Sequence, residues 1–308
     1  MSIGRREFLK KSALGLGSML VGGRLGAIDI SSKAATDGSS IPKYFDPFER
    51  VSLGKTSLKV SRLCMGTGTN GVQHESNQTR LGRDTFDRLL RDALERGIRT
   101  FDCADQYGSH TYLAAAMKDV PREKYDIITK IRWFGRGEGQ PDANVFVDRF
   151  LKELSTDHID LLLLHCLTSG NWPQEMRKQM DILSKYKEKG VIRALGVSCH
   201  SIPALEAAAA EPWVDSVHTR INPYGMSMDG SPERVIPVIK KIHAAGKGVV
   251  GMKIVGAGRL SDDSDRRQES VKFALGLGCV SILNVGFESP DQIDDLAGQI
   301  HKTKVTTA

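Results

Sequence analysis

Along residues 50–300, short apolar runs alternate with longer stretches in which apolar residues recur every three or four positions. The short runs are RLCMG (62–66), IRTFD (98–102), YDIITK (125–130), IDLLLLH (159–165), IRALGVS (192–198), VDSVHTR (214–220), GVVGMK (248–253) and CVSILNVG (279–286). Each reads as a strand by its length and its bounding turn residues. Between them, TFDRLLRDALERG sets Phe86, Leu89, Leu90 and Ala93 on one helical face. NVFVDRFLKEL, EMRKQMDILSKYKEKG, ERVIPVIKKIHAAG and ESVKFALGLG carry the same period. Gly97, Gly190, Gly246 and Gly278 stand where C-terminal helix caps belong. The continuous run LLLL at 161–164 fits a strand buried on both faces. Eight alternations over about 250 residues predict an α/β fold, a single (β/α)8 TIM barrel. Ahead of it, Val51 and Leu53, a Gly54-Lys55 turn, then Leu58 and Val60 predict a β-hairpin capping the barrel bottom.

The first 43 residues are of a different kind. They hold seven Lys and Arg against three Asp and Glu, and so carry four of the chain's six net positive charges. GRREFLKK is followed by a mildly apolar, glycine-rich run from Ser12 to Gly23, the order of a bacterial export signal. RREFLK resembles the twin-arginine (Tat) motif, which implies an exported, periplasmic protein that meets the Tat machinery already folded. Cleavage near Ala34 and Ala35, or retention as a membrane anchor, both stay open. Residues 44–308 are then the barrel. With so little excess charge left there and no basic stripe interleaved with aromatics, nucleic-acid binding is not indicated. Five cysteines without a C-x-x-C give neither a disulfide framework nor a zinc site.

GTGTNG (66–71) matches the glycine fingerprint G-x-G-x-x-G of dinucleotide folds. Its context does not. VQHESNQTRLG separates it from the next helical pattern, and the next strand-end acid, Asp102, lies 31 residues after Gly71. The string reads as a turn at the C-terminal end of the first barrel strand, where glycines permit close approach to the backbone.

Barrel active sites form at such strand ends. Asp102 ends the second strand, Tyr107 follows five residues later, Lys130 ends the third and His165 the fourth. Asp, Tyr, Lys and His in this arrangement resemble the catalytic tetrad of the aldo-keto reductases. ERVSLGKTSLKVSRLCMGTG, RALGVSCH and VSILNVGFESPDQIDD are similar to that family's opening hairpin, serine-bearing strand and nucleotide loop, so the likeness covers about residues 49–300. A carbonyl that accepts hydride needs a proton on its oxygen. A phenol, with a pKa of about 10, is a poor donor or acceptor near neutrality unless a neighbouring cation assists. Lys130 fills that role for Tyr107, Asp102 holds Lys130 charged, and neutral His165 orients the carbonyl oxygen.

The resemblance implies NAD(P)H bound across the barrel mouth. Gly66, Thr67 and Gly68 take the place of the first-strand turn near the nicotinamide. Ser198 matches the serine at the carboxamide, with Cys199 where asparagine is usual and His218 where glutamine is usual. Lys253 and the following GAG turn offer phosphate contacts. In GFESPDQIDDL, Gly286, Phe287, Glu288, Ser289, Gln292 and Asp295 fall in the adenine loop, with Gly286 and Gln292 where NADPH-preferring members carry cations. Lost cations and a gained carboxylate disfavour a dianionic 2′-phosphate, which implies weaker NADP selectivity, with either use of NAD or altered cofactor binding. Trp133, Phe134 and Trp172 are candidate contacts for a small carbonyl or sugar substrate, and no metal is expected. The competing expectation is an exported non-redox barrel with a degenerate cofactor site that binds a ligand or partner protein.

Overall fold

The computed structural model describes residues 43–133 and 139–305. The N-terminal address and Phe134 lie outside the described residues. A hairpin comes first, β1 (Arg50–Ser52) antiparallel to β2 (Lys59–Ser61), with Val51 opposite Val60. Eight parallel strands follow: β3 (Leu63–Gly66), β4 (Thr100–Asp102), β5 (Asp126–Ile131), β6 (Ile159–Leu167), β7 (Ile192–Cys199), β8 (Ser216–Arg220), β9 (Gly248–Met252) and β10 (Ile282–Gly286). They close in the order β10-β3-β4-β5-β6-β7-β8-β9, which is the (β/α)8 barrel expected from the alternation. The helices are α1 (Asn77–Arg80), α2 (Arg83–Arg96), α3 (His110–Ala116), α4 (Ala143–Glu153), α5 (Trp172–Glu175), α6 (Arg177–Glu188), α7 (Ile202–Ala210), α8 (Pro232–Ala244), α9 (Ser264–Gly276) and α10 (Pro290–His301). Among the described residues no helix is long and apolar enough to cross a membrane.

Two apolar layers hold this frame. Outside the strands, side chains such as Phe86, Leu89, Leu90 and Ala93 of α2 belong to one buried cluster with outward strand residues including Phe101 and Leu162. Inside, Cys64, Ile128, Leu161, Leu163, Ala194, Val250 and Ile282 form the barrel filling. Leu53, Leu58 and Val60 of the hairpin join that inner layer, so the hairpin plugs the N-terminal end. Gly54 makes the plug fit. It has φ +56°, and a β-carbon there would come within 2.6 Å of the Gly246 carbonyl oxygen, a position only glycine takes without strain.

Boundaries moved where tertiary pairing overrides apolar pattern. β4, β8 and β10 begin two or three residues later than their apolar runs, because only the later residues find ladder partners. β6 runs two residues longer, through an irregularity at Cys166, which adopts φ +60°. The segment after GTGTNG holds a one-turn helix, α1, opened by a reciprocal Ser76–Thr79 capping box, before α2 begins.

Candidate active site

Alternation along each strand decides what enters the barrel mouth. On β5, Ile128 fills the interior, so Lys130, two residues on, also points in; on β6, Leu161 and Leu163 do the same for His165. Asp102 closes β4, paired in register with Gly66 and Ile128. Lys130 is fully buried and donates to both Asp102 carboxylate oxygens and to the Cys103 carbonyl, each at 2.7 Å. That uses all three ammonium protons. Burial alone would lower the Lys130 pKa, but the Asp102 carboxylate outweighs it and holds the ammonium charged. Burial likewise pushes the Asp102 carboxyl up; Lys130 and His218 outweigh it and hold it well below the usual range.

Tyr107 reaches this pair from a short turn, Asp105–Tyr107, ended by Gly108 at φ +65°. Lys130 Nζ lies 5.0 Å from its ring centroid, within cation–π range. The phenol oxygen is 3.3 Å from His165 Nε2, with the two rings edge-on. Burial, with Lys130 as second neighbour, holds His165 well below its ordinary pKa and so neutral. For Tyr107 the balance differs from the sequence expectation. Burial pushes its pKa up to about 12, against the downward pull of Lys130. The cation limits the rise rather than bringing the phenol to neutrality.

GTGTNG lies against that ring. A β-carbon on Gly68 would sit 2.2 Å from Tyr107 Cε2, and one on Gly71 2.4 Å from Cδ1. The glycines give the phenol its place, and β3 contributes the turn anticipated from the failed dinucleotide fingerprint.

From Asp102 and Tyr107 a groove of about 750 Å³ runs along the ends of β9 and β10. Gly66, Gly68, Lys253, Gly286, Phe287, Glu288, Gln292 and Asp295 line it. Thr67 does not. It is buried, bonded to the Asp102 carbonyl at 2.9 Å and to Ser109 at 2.7 Å, and positions the turn. Ser198 is buried and accepts the Cys166 N–H at 3.0 Å, Cys199 is buried with Sγ directed at the Ala204 carbonyl, and Ser289 is the N-cap of α10. His218 is fully buried with Nε2 3.3 Å from Asp102 Oδ1, and neither ring nitrogen makes an aligned hydrogen bond. The indoles are not at the mouth. Trp172 is 1% exposed and donates to the Ala204 carbonyl, and Trp133 donates to the Pro141 carbonyl and packs on Phe146. Both serve the core between strands and helices, where large aromatic area is most stabilising.

Three groove residues had no sequence signal. Asn284 of β10 donates to Asp102 Oδ2 at 2.7 Å, while its own Oδ1 is buried without a donor. Arg259 and Arg267 bring positive charge to the adenine end, where only loss of cations was expected at Gly286 and Gln292. Arg267 is paired with Asp295 at 2.9 Å, and Glu288 accepts from Asn77 at 2.8 Å across the groove. The long cleft, glycines at both of its walls, and the unpartnered Asn284 Oδ1 at its inner end fit an extended dinucleotide with a polar amide head. Lys253 and the Gly256–Gly258 turn stand beside it for phosphate. Among the described residues no group of three His, Cys, Asp or Glu is placed to hold a metal ion.

Known proteins resemble this chain in sequence and in fold. Methylglyoxal reductase DkgB of Salmonella typhimurium is 31% identical over 47% of this chain and 55% of its own length. Aldo-keto reductase YhdN of Bacillus subtilis is 27% identical over 62% of this chain and 58% of its own. The chain thus spans little more than half of these relatives. An aldo-keto reductase from Bacillus halodurans, solved in its holo form, superposes with a TM-score of 0.67 at 22% identity, over 84% of this chain and 93% of that one; this likeness speaks for the fold. The aldo/keto reductase family model matches residues 62–302. This chain belongs to the aldo/keto reductase family.

Proposed function

We propose that the barrel interconverts a carbonyl compound and its alcohol with NAD(P)(H), and that Tyr107 is the general acid in reduction and the general base in oxidation. The observation that carries this reading is Tyr107 at the inner end of the groove, its phenol oxygen 3.3 Å from neutral His165 and its ring centroid 5.0 Å from the ammonium of the Lys130–Asp102 pair. A bound nicotinamide supplies or accepts the hydride. His165 Nε2 and the Tyr107 hydroxyl converge on one point, where a carbonyl oxygen would take two hydrogen bonds. As charge grows on that oxygen, Tyr107 releases its proton, and Lys130 stabilises the phenolate left behind. Asp102 keeps Lys130 charged and fixed, and Asn284 keeps Asp102 fixed.

At the adenine end, Glu288 beside Gly286 and Gln292 supports use of NAD. Arg259 and Arg267 add positive charge, but Arg267 is already paired with Asp295. RREFLK supports export through the Tat route, with the nucleotide carried inside the folded barrel. The test is direct. Protein matured through its own export route is denatured and any released nucleotide is identified by mass spectrometry; turnover of a panel of aldehydes and sugars is then followed by nicotinamide absorbance. Nucleotide near one per chain, with turnover lost in Tyr107→Phe, is expected. Protein that neither carries nor binds NAD(H) or NADP(H) would favour a non-redox barrel, the reading that His218, pressed on Asp102 in place of the usual glutamine, keeps open.

A further inference from the structure

Tyr107 ends a turn of three residues whose own backbone does little to hold it. Its N–H donates to the Ala104 carbonyl, and the Gly108 N–H to the Asp105 carbonyl. A 3₁₀ turn has poorer hydrogen-bond geometry than an α-helix, and a single turn does not repay the cost of ordering it. What fixes this one comes from outside. Asp105 Oδ1 accepts from Arg149 Nη2 at 2.9 Å, and the Asp105 carbonyl accepts from His74 Nδ1 at 2.9 Å. Gln106 accepts from Arg132 at 3.0 Å.

The Arg149 contact belongs to a longer chain of bonds. On α4, Arg149 Nη1 donates to Glu153 Oε1, one turn later, at 2.8 Å. Glu153 Oε2 is 2.8 Å from His110 Nδ1, and His110 Nε2 is 2.7 Å from the Thr129 hydroxyl. A carboxylate only accepts, so His110 Nδ1 carries a proton. Burial alone would raise the Glu153 carboxyl, but His110 and Arg149 outweigh it and hold it below the usual range. Thr129 is fully buried on β5, directly before Lys130. The chain Thr129–His110–Glu153–Arg149–Asp105 thus starts beside Lys130 and ends two residues before Tyr107. It forms a polar strut behind the site, joining the two tetrad members whose ammonium and ring lie 5.0 Å apart. Arg149 suits its place in the strut. Its guanidinium also lies over Phe150 and Phe146, 5.1 Å and 5.6 Å from their ring centroids. Bonds to two separate carboxylates together with stacking on aromatic faces are what a planar guanidinium offers and an ammonium does not.

We infer that Arg149 is a positioning residue for the Tyr107 hydroxyl: through Asp105 it holds the turn, and through Glu153 and His110 it ties that turn to the strand carrying Lys130. Arg149 is absent from the groove lining, so it acts through Asp105 and not on substrate or nucleotide. The inference rests on the oxidoreductase reading for its effect on rate, though not for its effect on where Tyr107 sits. The Arg149 side chain is 38% exposed, and so open an ion pair adds little to stability. Displacement of a reacting group by about 1 Å, in contrast, costs about 10² in rate. Loss of Arg149 therefore acts on rate far more than on folding, and acts in part, because His74 and Arg132 still hold the turn.

The test reads position and rate separately. The chain holds six tyrosines, so full-length protein carrying 13C at tyrosine Cζ gives few ring resonances, and Tyr107→Phe identifies the one from Tyr107. In Arg149→Gln that line is expected to shift or broaden, with the melting temperature within about 4 °C of wild type. With 4-nitrobenzaldehyde and NADH or NADPH, kcat should fall about tenfold or more, while KM for the aldehyde and Kd for the nucleotide stay within about twofold. Arg149→Lys should recover part of the rate. Asp105→Ala should lose as much as Arg149→Gln, and the double variant no more than either, since both cut one chain. Asp105→Ala, which leaves Arg149 paired with Glu153, carries the same measurements if Arg149→Gln does not fold. A Tyr107 line that stays in place in the folded variant overturns the inference, whatever the turnover. So do losses that add in the double variant, or an unchanged kcat where the wild type is active. A line that moves while wild-type protein leaves 4-nitrobenzaldehyde unreduced upholds the strut and counts against the oxidoreductase reading alone.

Discussion

The ring of Tyr107 rests so closely on the α-carbon of Gly68 that a single methyl group there would overlap the phenol, at 2.2 Å from Cε2. The glycine is therefore part of how the hydroxyl is aimed. Gly68→Ala is expected to displace the ring and cost about 10² in kcat, since misplacement of a reacting group by about 1 Å has that effect. Gly298→Ala offers the contrast. It lies inside α10 with nothing within 4 Å of a new β-carbon, so it should raise stability by about 1 kcal/mol and leave rates alone. Steady-state rates and urea midpoints on the two variants check both statements.

Lys130 and Asp102 form an ion pair with side chains 0% and 4% exposed. Taking one partner away strands the other charge in the core, a loss of about 3–5 kcal/mol. Lys130→Met should therefore lower the urea midpoint sharply. The double variant Lys130→Met with Asp102→Asn should recover a large part of that loss, since no isolated charge remains. A double variant less stable than Lys130→Met alone would mean that the pair contributes through its hydrogen bonds rather than through mutual neutralisation.

How legible this site was depends on sequence separation. The tetrad could be found because each member sits at or just past the end of an apolar run, and alternation then sends Lys130 and His165 inward. Asn284 gave no such sign. It reaches Asp102, 182 residues away in the chain, only because β10 closes the ring against β3. Arg259 likewise comes to the groove from the segment between β9 and α9, and Arg267 from α9 itself. Trp133 and Trp172 look like loop aromatics in one dimension and are buried in three, because the helices that cover them are set by packing outside the run itself. The direction of the Tyr107 shift was missed for a related reason. Proximity of a lysine can be guessed from spacing, but the extent of burial that opposes it cannot.

The pH dependence follows from those burials. Burial first, and then neighbouring cations, hold His165 and His200 below the ordinary histidine range; burial also lowers His218, despite Asp102. The unfolded chain thus binds up to three more protons than the native one once pH falls below about 6.5. Their contribution to stability is complete above that pH and is lost as pH falls through the folded values, so urea midpoints should drop steadily from pH 7 to pH 5. Tyr107 acts with the opposite sense. Its pKa is raised to about 12, so its contribution is present below about pH 10 and is lost as pH rises through the folded value. The phenol also stays protonated across that span, and the rate of carbonyl reduction should not decline between pH 7 and pH 10. A loss of reductase activity with a midpoint near pH 8 would show that a different group supplies the proton.

Glu288 decides between nucleotides in the same electrostatic terms. It lines the adenine end of the groove, held by the Asn77 amide, whose Nδ2 donates to it at 2.8 Å. A 2′-phosphate placed there would meet this carboxylate, while Arg267 is engaged by Asp295 and Arg259 is exposed to solvent. Wild-type protein is therefore expected to hold NAD(H) at least as well as NADP(H). Glu288→Gln keeps the Asn77 contact and removes the repulsion, so it should tighten NADP(H) about fivefold, the scale of a solvent-exposed charge interaction of about 1 kcal/mol. NAD(H), which lacks the phosphate, should change little. The gain should shrink at high salt, because an exposed repulsion is screened. Fluorescence titrations of both nucleotides at two ionic strengths measure all three effects. If the wild type held NADP(H) tenfold tighter than NAD(H), Arg259 would have to be the residue that recognises the phosphate, and Arg259→Ala would then remove that preference.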